Sequence, residues 1–549
     1  MRRAPGSAID AEQVADEPES AASLSTRALS RLVGRLRSVC AAHGEIVDQP
    51  IDRFARPAAQ ADIAATGAPD GDPRSDGELA ASASAMLGTL VERIARTGSR
   101  AEIWLLFIGL AGCFPPEEDV LEFARRLELD GPARSSIWLL ERAHDLAATV
   151  GSPLDELDII SDGLVVDVNY VAQHDLHTGI QRVARETLPR WAQTRDFTLA
   201  VWTVSQAAMR GLDPSESGRV LRWGLPVDET IPDSSERLIV PWRSTLFVPE
   251  ILQYGPAPYL RALARFSGNR VVAVGYDCIP ITSGEVVPDF GSEVFGKYLS
   301  ALKYADAIVG ISASATAEYA GFAQMLSAQG LPAPTVTECL LPVDAPEPTA
   351  RRESRPGRPM VLCVGSHGPH KNHLAVLHAA ERLWRDDFDF ELRFVGGSGW
   401  MSEDFDDRIR SLRRARRTVS VLKQIPDAQL WECYQEARFT VFPSWHEGFG
   451  LPVAESLYYG TPAVTSNFGS MREIGEGGGT IMIDPRDDNQ LHEAMRTLLA
   501  DDSALDRLRA EALARKPRLW DDYAEELWAA VGGRTAPCEP DAESSAGQR

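Results

Sequence analysis

Two carboxylates, Glu447 and Glu455, bracket the run His-Glu-Gly-Phe-Gly-Leu-Pro-Val-Ala-Glu at 446–455. An apolar stretch of strand length, Phe439–Pro443, leads into it, and Ser456–Tyr459 followed by Gly460 leads out. Pro452 suits the first position of a helix and Gly460 the residue just past its end, so the segment reads as strand, glycine-rich loop, short helix. Such a junction offers free backbone N–H groups and the positive end of a helix dipole, which suits an anion such as a diphosphate. Gly448 and Gly450 remove side chains and let a ligand approach the main chain. The glutamates repel phosphate and are better used accepting hydrogen bonds from hydroxyls. A phosphate flanked by hydroxyl-rich rings describes a nucleotide-sugar.

The elements that must position this loop alternate. From about residue 158, strand candidates at Leu164–Asn169, Phe197–Val204, Leu246–Ile251, Asn269–Cys278, Asp306–Ser312 and Val336–Leu341 are interleaved with helices at 178–191, 291–305 and 313–326. This pattern predicts a parallel sheet covered by helices on both faces. A Pro- and Arg-rich stretch at 345–358 reads as a linker, after which the alternation restarts. Strands are expected at Met360–Val364, Glu391–Val395, Val419–Lys423, Pro462–Ser466 and Thr480–Ile483, with helices at 372–384, 403–416, 428–437, 488–500 and 503–514. Two doubly wound units in succession place a ligand cleft between the carboxyl ends of their sheets. A last helix is expected at Trp520–Val531.

The chain has 549 residues, 44% hydrophobic and 25% charged, which is room for about three domains of ~150 residues. Its formal net charge of −23 excludes nucleic acid as a general partner, because phosphate backbones need a basic field. Seven scattered cysteines without a CxxC pair form neither a disulfide framework nor a zinc pattern and fit a reducing cytoplasm. The first twenty residues carry two arginines but no apolar core, so no secretory signal is expected. The longest apolar run, Ile103–Phe114, is short of the ~20 residues that span a bilayer and reads as a buried helix.

Residues 1–24 and 534–549 are expected to be disordered, and 25–150 to be an appended α-helical region with a linker near 45–77. Within it, 25–43 is a basic amphipathic helix with Leu29, Leu32, Val33 and Leu36 on one face. It fits either an anionic membrane surface or an ordinary domain helix with a solvated charged side. The six arginines between Arg408 and Arg417 pose the same choice, between a solvated face and a dock for anionic head groups or a lipid diphosphate. His367, His370 and His373 recur every third residue, but Pro369 and a loop-to-helix transition keep them off a shared face, so no metal site is expected.

Taken together, Phe442-Pro-Ser444, the 446–455 run, Gly460-Thr-Pro462, Gly469-Ser-Met-Arg-Glu473, Ile483-Asp-Pro485 and Val-Gly-Ser-His-Gly-Pro-His-Lys-Asn-His at 364–373 resemble the donor-binding half of glycosyltransferase family 4, the glycosyl transferases group 1. The resemblance spans about 160–530 and implies a GT-B fold. That means an N-terminal Rossmann-like acceptor domain at 158–345, a donor domain at 356–515, and a helix at 516–533 crossing back to the first. It also implies a nucleotide-sugar donor, retention of anomeric configuration, and no cofactor or catalytic metal. Glu447 would contact donor-sugar hydroxyls and Glu455 the ribose. Gly448, Phe449, Gly450 and Leu451 would hold sugar and diphosphate by their backbone, with Gly365 in the facing turn. Lys371 matches the lysine that neutralises the leaving diphosphate. His370 stands where the family commonly has arginine, and a histidine is only partly charged near pH 7.

In the N-terminal unit, Thr178-Gly-Ile-Gln-Arg182 resembles the family's first-loop glycine. Gly179 either approaches the donor phosphates or simply starts a helix. Gly275-Tyr-Asp-Cys-Ile-Pro280 resembles its His-Asp-x-x-Pro segment, with Tyr276 in place of the histidine. Asp277 either meets the reacting sugar or acceptor, or caps the following loop. The expectation is a hexosyltransferase that is either free in the cytoplasm or peripheral at the membrane's inner face. It would use GDP-mannose as a first guess and act on a sugar or lipid-linked glycan acceptor, as in surface-polysaccharide assembly. A GT-B epimerase or phosphorylase, or a noncatalytic nucleotide-sugar-binding assembly protein, are the rival readings.

Overall fold

The computed structural model describes residues 21–44, 75–175, 179–228, 230–252, 255–288, 290–343, 358–423 and 425–532. Residues 1–20 of the tail expected at 1–24, the tail expected at 534–549, most of the linkers expected at 45–77 and 345–358, and Thr178 lie outside these residues, whereas 21–24, expected to be disordered, open a helix. The chain divides into two compact units.

The first unit takes in the described residues up to Cys113 and again Phe123–Leu157. Its first helix, Ala21–Ala42, begins four residues earlier than the sequence suggests. Val33, Leu36 and Val39 are buried, and the helix packs on Asp76–Thr97 and Arg100–Ala111. The apolar face that would suit a membrane is therefore used inside the unit. Arg35 is buried too: its Nε donates to the Gly109 carbonyl at 3.0 Å and Nη2 to that of Leu110 at 3.3 Å. It thus satisfies carbonyls at a helix end that lack partners within the helix. Helix Arg100–Ala111 is buried from Glu102 to Ala111, as its all-round apolar sequence requires. No described helix is long and apolar enough to cross a membrane.

The second unit comprises Phe114–Glu122 and everything from Asp158. Its strands are β1 (Glu156–Ser161), β2 (Leu164–Asp167), β3 (Thr198–Trp202), β4 (Met209–Arg210), β5 (Arg237–Trp242), β6 (Thr245–Val248), β7 (Arg270–Gly275), β8 (Ala307–Gly310) and β9 (Thr335–Glu338). They form one sheet in the order β1-β5-β4-β3-β2-β6-β7-β8-β9. From β3 through β9 the neighbours are parallel, but β3–β4 and β4–β5 are antiparallel. The sheet is therefore mixed, where the alternation predicted a purely parallel one; an antiparallel edge on a doubly wound sheet is a common variant.

The second sheet is parallel throughout: β10 (Met360–Val364), β11 (Glu391–Val395), β12 (Val419–Leu422), β13 (Phe439–Phe442), β14 (Ala463–Ser466) and β15 (Thr480–Ile483), in the order β12-β11-β10-β13-β14-β15. In both sheets the order reverses beside the first parallel strand, at β2/β6 and at β10/β13. Those are the switch points where open α/β sheets bind ligands. With two doubly wound halves of this kind, the fold is GT-B.

The C-terminal helix Trp520–Gly532 packs in the core of the first half, not the second. Trp520, Tyr523, Leu527 and Val531 share a buried cluster with Val166, Phe247 and Trp191. The Trp191 indole donates to the Ala524 carbonyl at 2.9 Å, and Arg190 and Arg195 pair with Asp521 and Glu525 on the solvent side. Most of the stabilisation comes from the buried ring, since exposed ion pairs contribute little. We expect Trp191→Ala to destabilise this unit by about 3–5 kcal/mol, read as a lower urea midpoint by circular dichroism. A wild-type midpoint would show that the helix is not anchored there.

Candidate functional site

The loop after β13 and the loop after β10 emerge side by side, because the two strands are hydrogen-bonded neighbours. The first runs into helix Leu451–Tyr458 through Gly450, whose φ of 103° is costly for any residue with a side chain. The second is a turn closed by Pro369–Lys371. Across the gap Lys371 Nζ donates to Glu447 Oε1 at 2.6 Å, and both side chains are almost withdrawn from solvent. Burial pushes the Glu447 carboxyl up, but Lys371 outweighs it and holds the group below its ordinary range. Gly365 lies against the Lys371 stem. The sequence thus placed Gly365, Lys371, Glu447, Gly448, Phe449, Gly450 and Leu451 in one region, and the fold brings them together.

The first half of the fold closes on this loop. A Cβ on Gly448 would stand 2.4 Å from the Tyr276 carbonyl oxygen, so only glycine fits there. Ser312 Oγ donates to the Gly448 carbonyl at 2.7 Å, and Ser470 Oγ to that of Glu447 at 2.9 Å. Gly179 opens its helix with its Cα facing the Leu451 side chain; a Cβ there would come within 3.3 Å. Its backbone therefore lies beside the start of helix Leu451–Tyr458. Tyr276 turns away: its hydroxyl donates to the Pro249 carbonyl at 2.6 Å inside the core.

Asp277 performs the capping role, accepting from the Ile279 N–H at 3.1 Å, and still sits within 3.3 Å of where a Gly448 Cβ would be. Loss of solvent, with the charges of Glu318 and Glu447 nearby, pushes it up to about 6. Beside it, His446 Nε2 meets Glu318 Oε1 at 2.5 Å and Nδ1 meets Thr282 Oγ1 at 3.2 Å. Burial lowers His446, but Glu318 and the neighbouring Asp277 and Glu447 raise it on balance. Neither Glu318 nor the pairing of His446 was legible, since 128 residues separate them.

Glu455 lies deeper. Arg182 Nη1 donates to its Oε1 and the Tyr434 hydroxyl to its Oε2, each at 2.8 Å. Neither Arg182 nor Tyr434 was assigned a role from the sequence; nothing local marks a partner 273 residues away.

The three histidines are packing residues. His367 stacks on Phe405 with ring centroids 4.2 Å apart, His373 lies edge-on to Phe394 at 5.2 Å, and His370 stacks on Trp400 at 5.3 Å. Burial lowers all three, His370 to about 4. His370 is thus neutral at pH 7 rather than partly charged, and Lys371 carries the positive charge of this turn. Among the described residues no cluster of three or more His, Cys, Asp or Glu is placed to hold a metal ion.

A second pair of acids escaped the sequence reading. Asp167 is the last residue of β2 and Glu250 follows the carboxyl end of β6, at the first sheet's switch point. Asp167 accepts from the Trp202 indole at 2.8 Å, and Glu250 Oε2 from the Tyr170 and Val171 N–H groups at 2.9 and 3.2 Å. Glu250 Oε1 is buried with no partner. Burial, then the charge of Asp167, pushes Glu250 up to about 8; burial pushes Asp167 to about 6.

Residues 346–515 match the family model of glycosyl transferases group 1. The serotype-specific mannosyltransferase WbdA of Escherichia coli is 26% identical over 331 residues, 57% of this chain and 38% of that protein. The O-antigen chain mannosyltransferase B of Escherichia coli is 32% identical over 165 residues, 29% of this chain and 42% of that protein. The chain therefore spans about two-fifths of the length of the curated relatives it matches. Among solved structures, sucrose-phosphate synthase from Thermosynechococcus elongatus aligns with a TM-score of 0.48 at 16% identity, covering 68% of this chain and 98% of that one. Anabaena HepE in complex with UDP and glucose aligns at 0.48 and 11%, covering 68% and 100%.

The buried acids give the protein a pH dependence of definite sign. A carboxyl raised from 4.5 to about 8 binds its proton more tightly in the folded state, so stability falls as pH rises through that window. Glu250→Gln keeps the shape and removes the proton. Its melting temperature is expected to stay near wild type at pH 5 and to exceed it at pH 8.5 by scanning fluorimetry. An unchanged difference between the two pH values would contradict the raised pKa.

Proposed function

We propose that this protein, whose residues 346–515 match the family model of glycosyl transferases group 1, is a retaining glycosyltransferase. It moves a hexose from a nucleotide-diphosphate sugar to a hydroxyl of a glycan acceptor. The observation that carries the reading is the Lys371–Glu447 pair beside a glycine-lined helix start. A diphosphate entering this junction takes Lys371 as its counterion. Glu447 is thereby released to accept hydrogen bonds from the sugar hydroxyls, and Glu455 from the ribose. As the bond from the anomeric carbon to the diphosphate oxygen breaks, negative charge grows on that oxygen, and Lys371 is placed to stabilise it.

Neither motif glutamate is free to act as a nucleophile, which favours front-face transfer. The acceptor oxygen bonds to the anomeric carbon on the side the diphosphate leaves, and its proton passes to the departing phosphate oxygen. Asp277, with its pKa near 6, lines the same cleft and is placed to hydrogen-bond the sugar or the acceptor. Mannose as the sugar, GDP-mannose as the donor and a surface polysaccharide as the product draw their support from the relatives named mannosyltransferases.

A thermal-shift panel of GDP-, UDP-, ADP- and dTDP-sugars tests the donor. GDP-mannose at a hundred times its Kd should stabilise the fold by about 2.7 kcal/mol. Glu455→Ala should abolish that shift, whereas Lys371→Ala should lower turnover by about a hundredfold with a smaller change in donor affinity. A protein that binds donor yet never transfers its sugar across a broad acceptor panel would contradict the transferase reading, and formation of a new sugar-nucleotide from donor alone would mark an epimerase.

A further inference from the structure

Glu455 is held from the opposite half of the fold. Arg182 lies one turn into helix Gly179–Ala192, and its guanidinium bonds Glu455 Oε1 at 2.8 Å. The two side chains are 14% and 8% exposed, so water screens the pair little. The guanidinium also lies 5.7 Å from the Trp431 ring and 6.0 Å from that of Trp520. Three separated stretches therefore converge on the Arg182 guanidinium: helix Leu451–Tyr458 through Glu455, helix Asp427–Glu436 through Trp431, and the C-terminal helix through Trp520.

Burial drives Glu455 toward its protonated form and on balance holds it above the ordinary carboxylate range. Arg182 is the largest opposing influence, the Tyr434 hydroxyl the next, and Asp427 adds a smaller push upward. A protonated Glu455 would lose the charge-assisted acceptor strength that a carboxylate offers to hydroxyls. A carboxylate has about four lone-pair sites, so Arg182 and Tyr434 leave capacity for a diol.

We infer that Arg182 is a positioning residue for the nucleotide: its guanidinium holds and aims the Glu455 carboxylate, so that the donor site in one half is complete only with this contact from the other. The inference rests on the donor-site reading above and adds to it a residue in the opposite half on which donor affinity depends.

Calorimetric titration with GDP-mannose and UDP-glucose at pH 6 and pH 8 tests it, comparing wild type, Arg182→Lys, Arg182→Gln and Glu455→Gln. Relative to wild type at the same pH, Arg182→Gln is expected to weaken binding about ten- to a hundredfold at pH 6. It should regain part of that at pH 8, as the unpartnered carboxyl ionises. Arg182→Lys, which keeps the charge, should retain most of the affinity at both. Glu455→Gln, a neutral isostere, should match the pH 6 behaviour of Arg182→Gln at both pH values, and it decides the matter if Arg182→Gln does not fold. Wild-type affinity in Arg182→Gln or in Glu455→Gln overturns the inference. So does an equal, pH-independent loss in both arginine variants, which marks a purely structural contact. If wild type binds neither probe while remaining folded, the donor-site reading itself falls, and this inference with it.

Discussion

Two opposite charges almost out of water, Lys371 and Glu447, face each other at 2.6 Å where two neighbouring strands end. A pair in that position is a poor source of stability, because the desolvation of both ions offsets much of their attraction, while removing one partner alone costs about 3–5 kcal/mol. It makes sense as a resting contact that an anionic ligand exchanges for its own. The rest of the donor half serves to keep the two charges in place. Parallel crossovers carry both loops to the same rim of the sheet, Gly450 supplies the backbone conformation that starts the helix, and Ser470 ties down the Glu447 carbonyl.

The opposing half meets the 446–455 run through polar contacts, Ser312 on the Gly448 carbonyl, Glu318 on His446 and Arg182 on Glu455, and through Phe449, which packs against its core. In return, Glu473 accepts from the Ala313 and Ser314 N–H groups at 3.0 and 2.6 Å, placing a carboxylate on the positive end of a helix. Contacts of this kind between halves of a chain permit relative motion, as substrate entry into an interdomain cleft requires. The close approach of Gly448 to the Tyr276 carbonyl sets how tightly the halves meet, and any side chain there would hold them apart.

Much of this was readable because its determinants are local. Met360–Val364, Glu391–Val395 and Thr480–Ile483 fall where apolar runs punctuated by glycine and proline place them, and the helix after Gly450 begins within a residue of its expected start. The antiparallel edge was not readable. β4 has two residues, and β5 contains Pro241, which as a rule argues against a strand. Nor were the partners of Glu455 and His446, which come from stretches far away in the chain and obey no spacing rule. His370 shows the limit of reading charge from residue type: stacked on Trp400 and buried, it loses the proton that an exposed imidazole would partly keep. Glu250 shows the converse, a carboxyl that burial holds neutral at pH 7.

A crystal structure of the protein with GDP-mannose tests the central claim most directly. The diphosphate is expected on the backbone of Gly448–Leu451, with Lys371 Nζ moved from Glu447 to a phosphate oxygen and the Glu447 carboxylate turned to the sugar hydroxyls. A nucleotide bound away from this loop, or bound there with the Lys371–Glu447 pair intact, would contradict it.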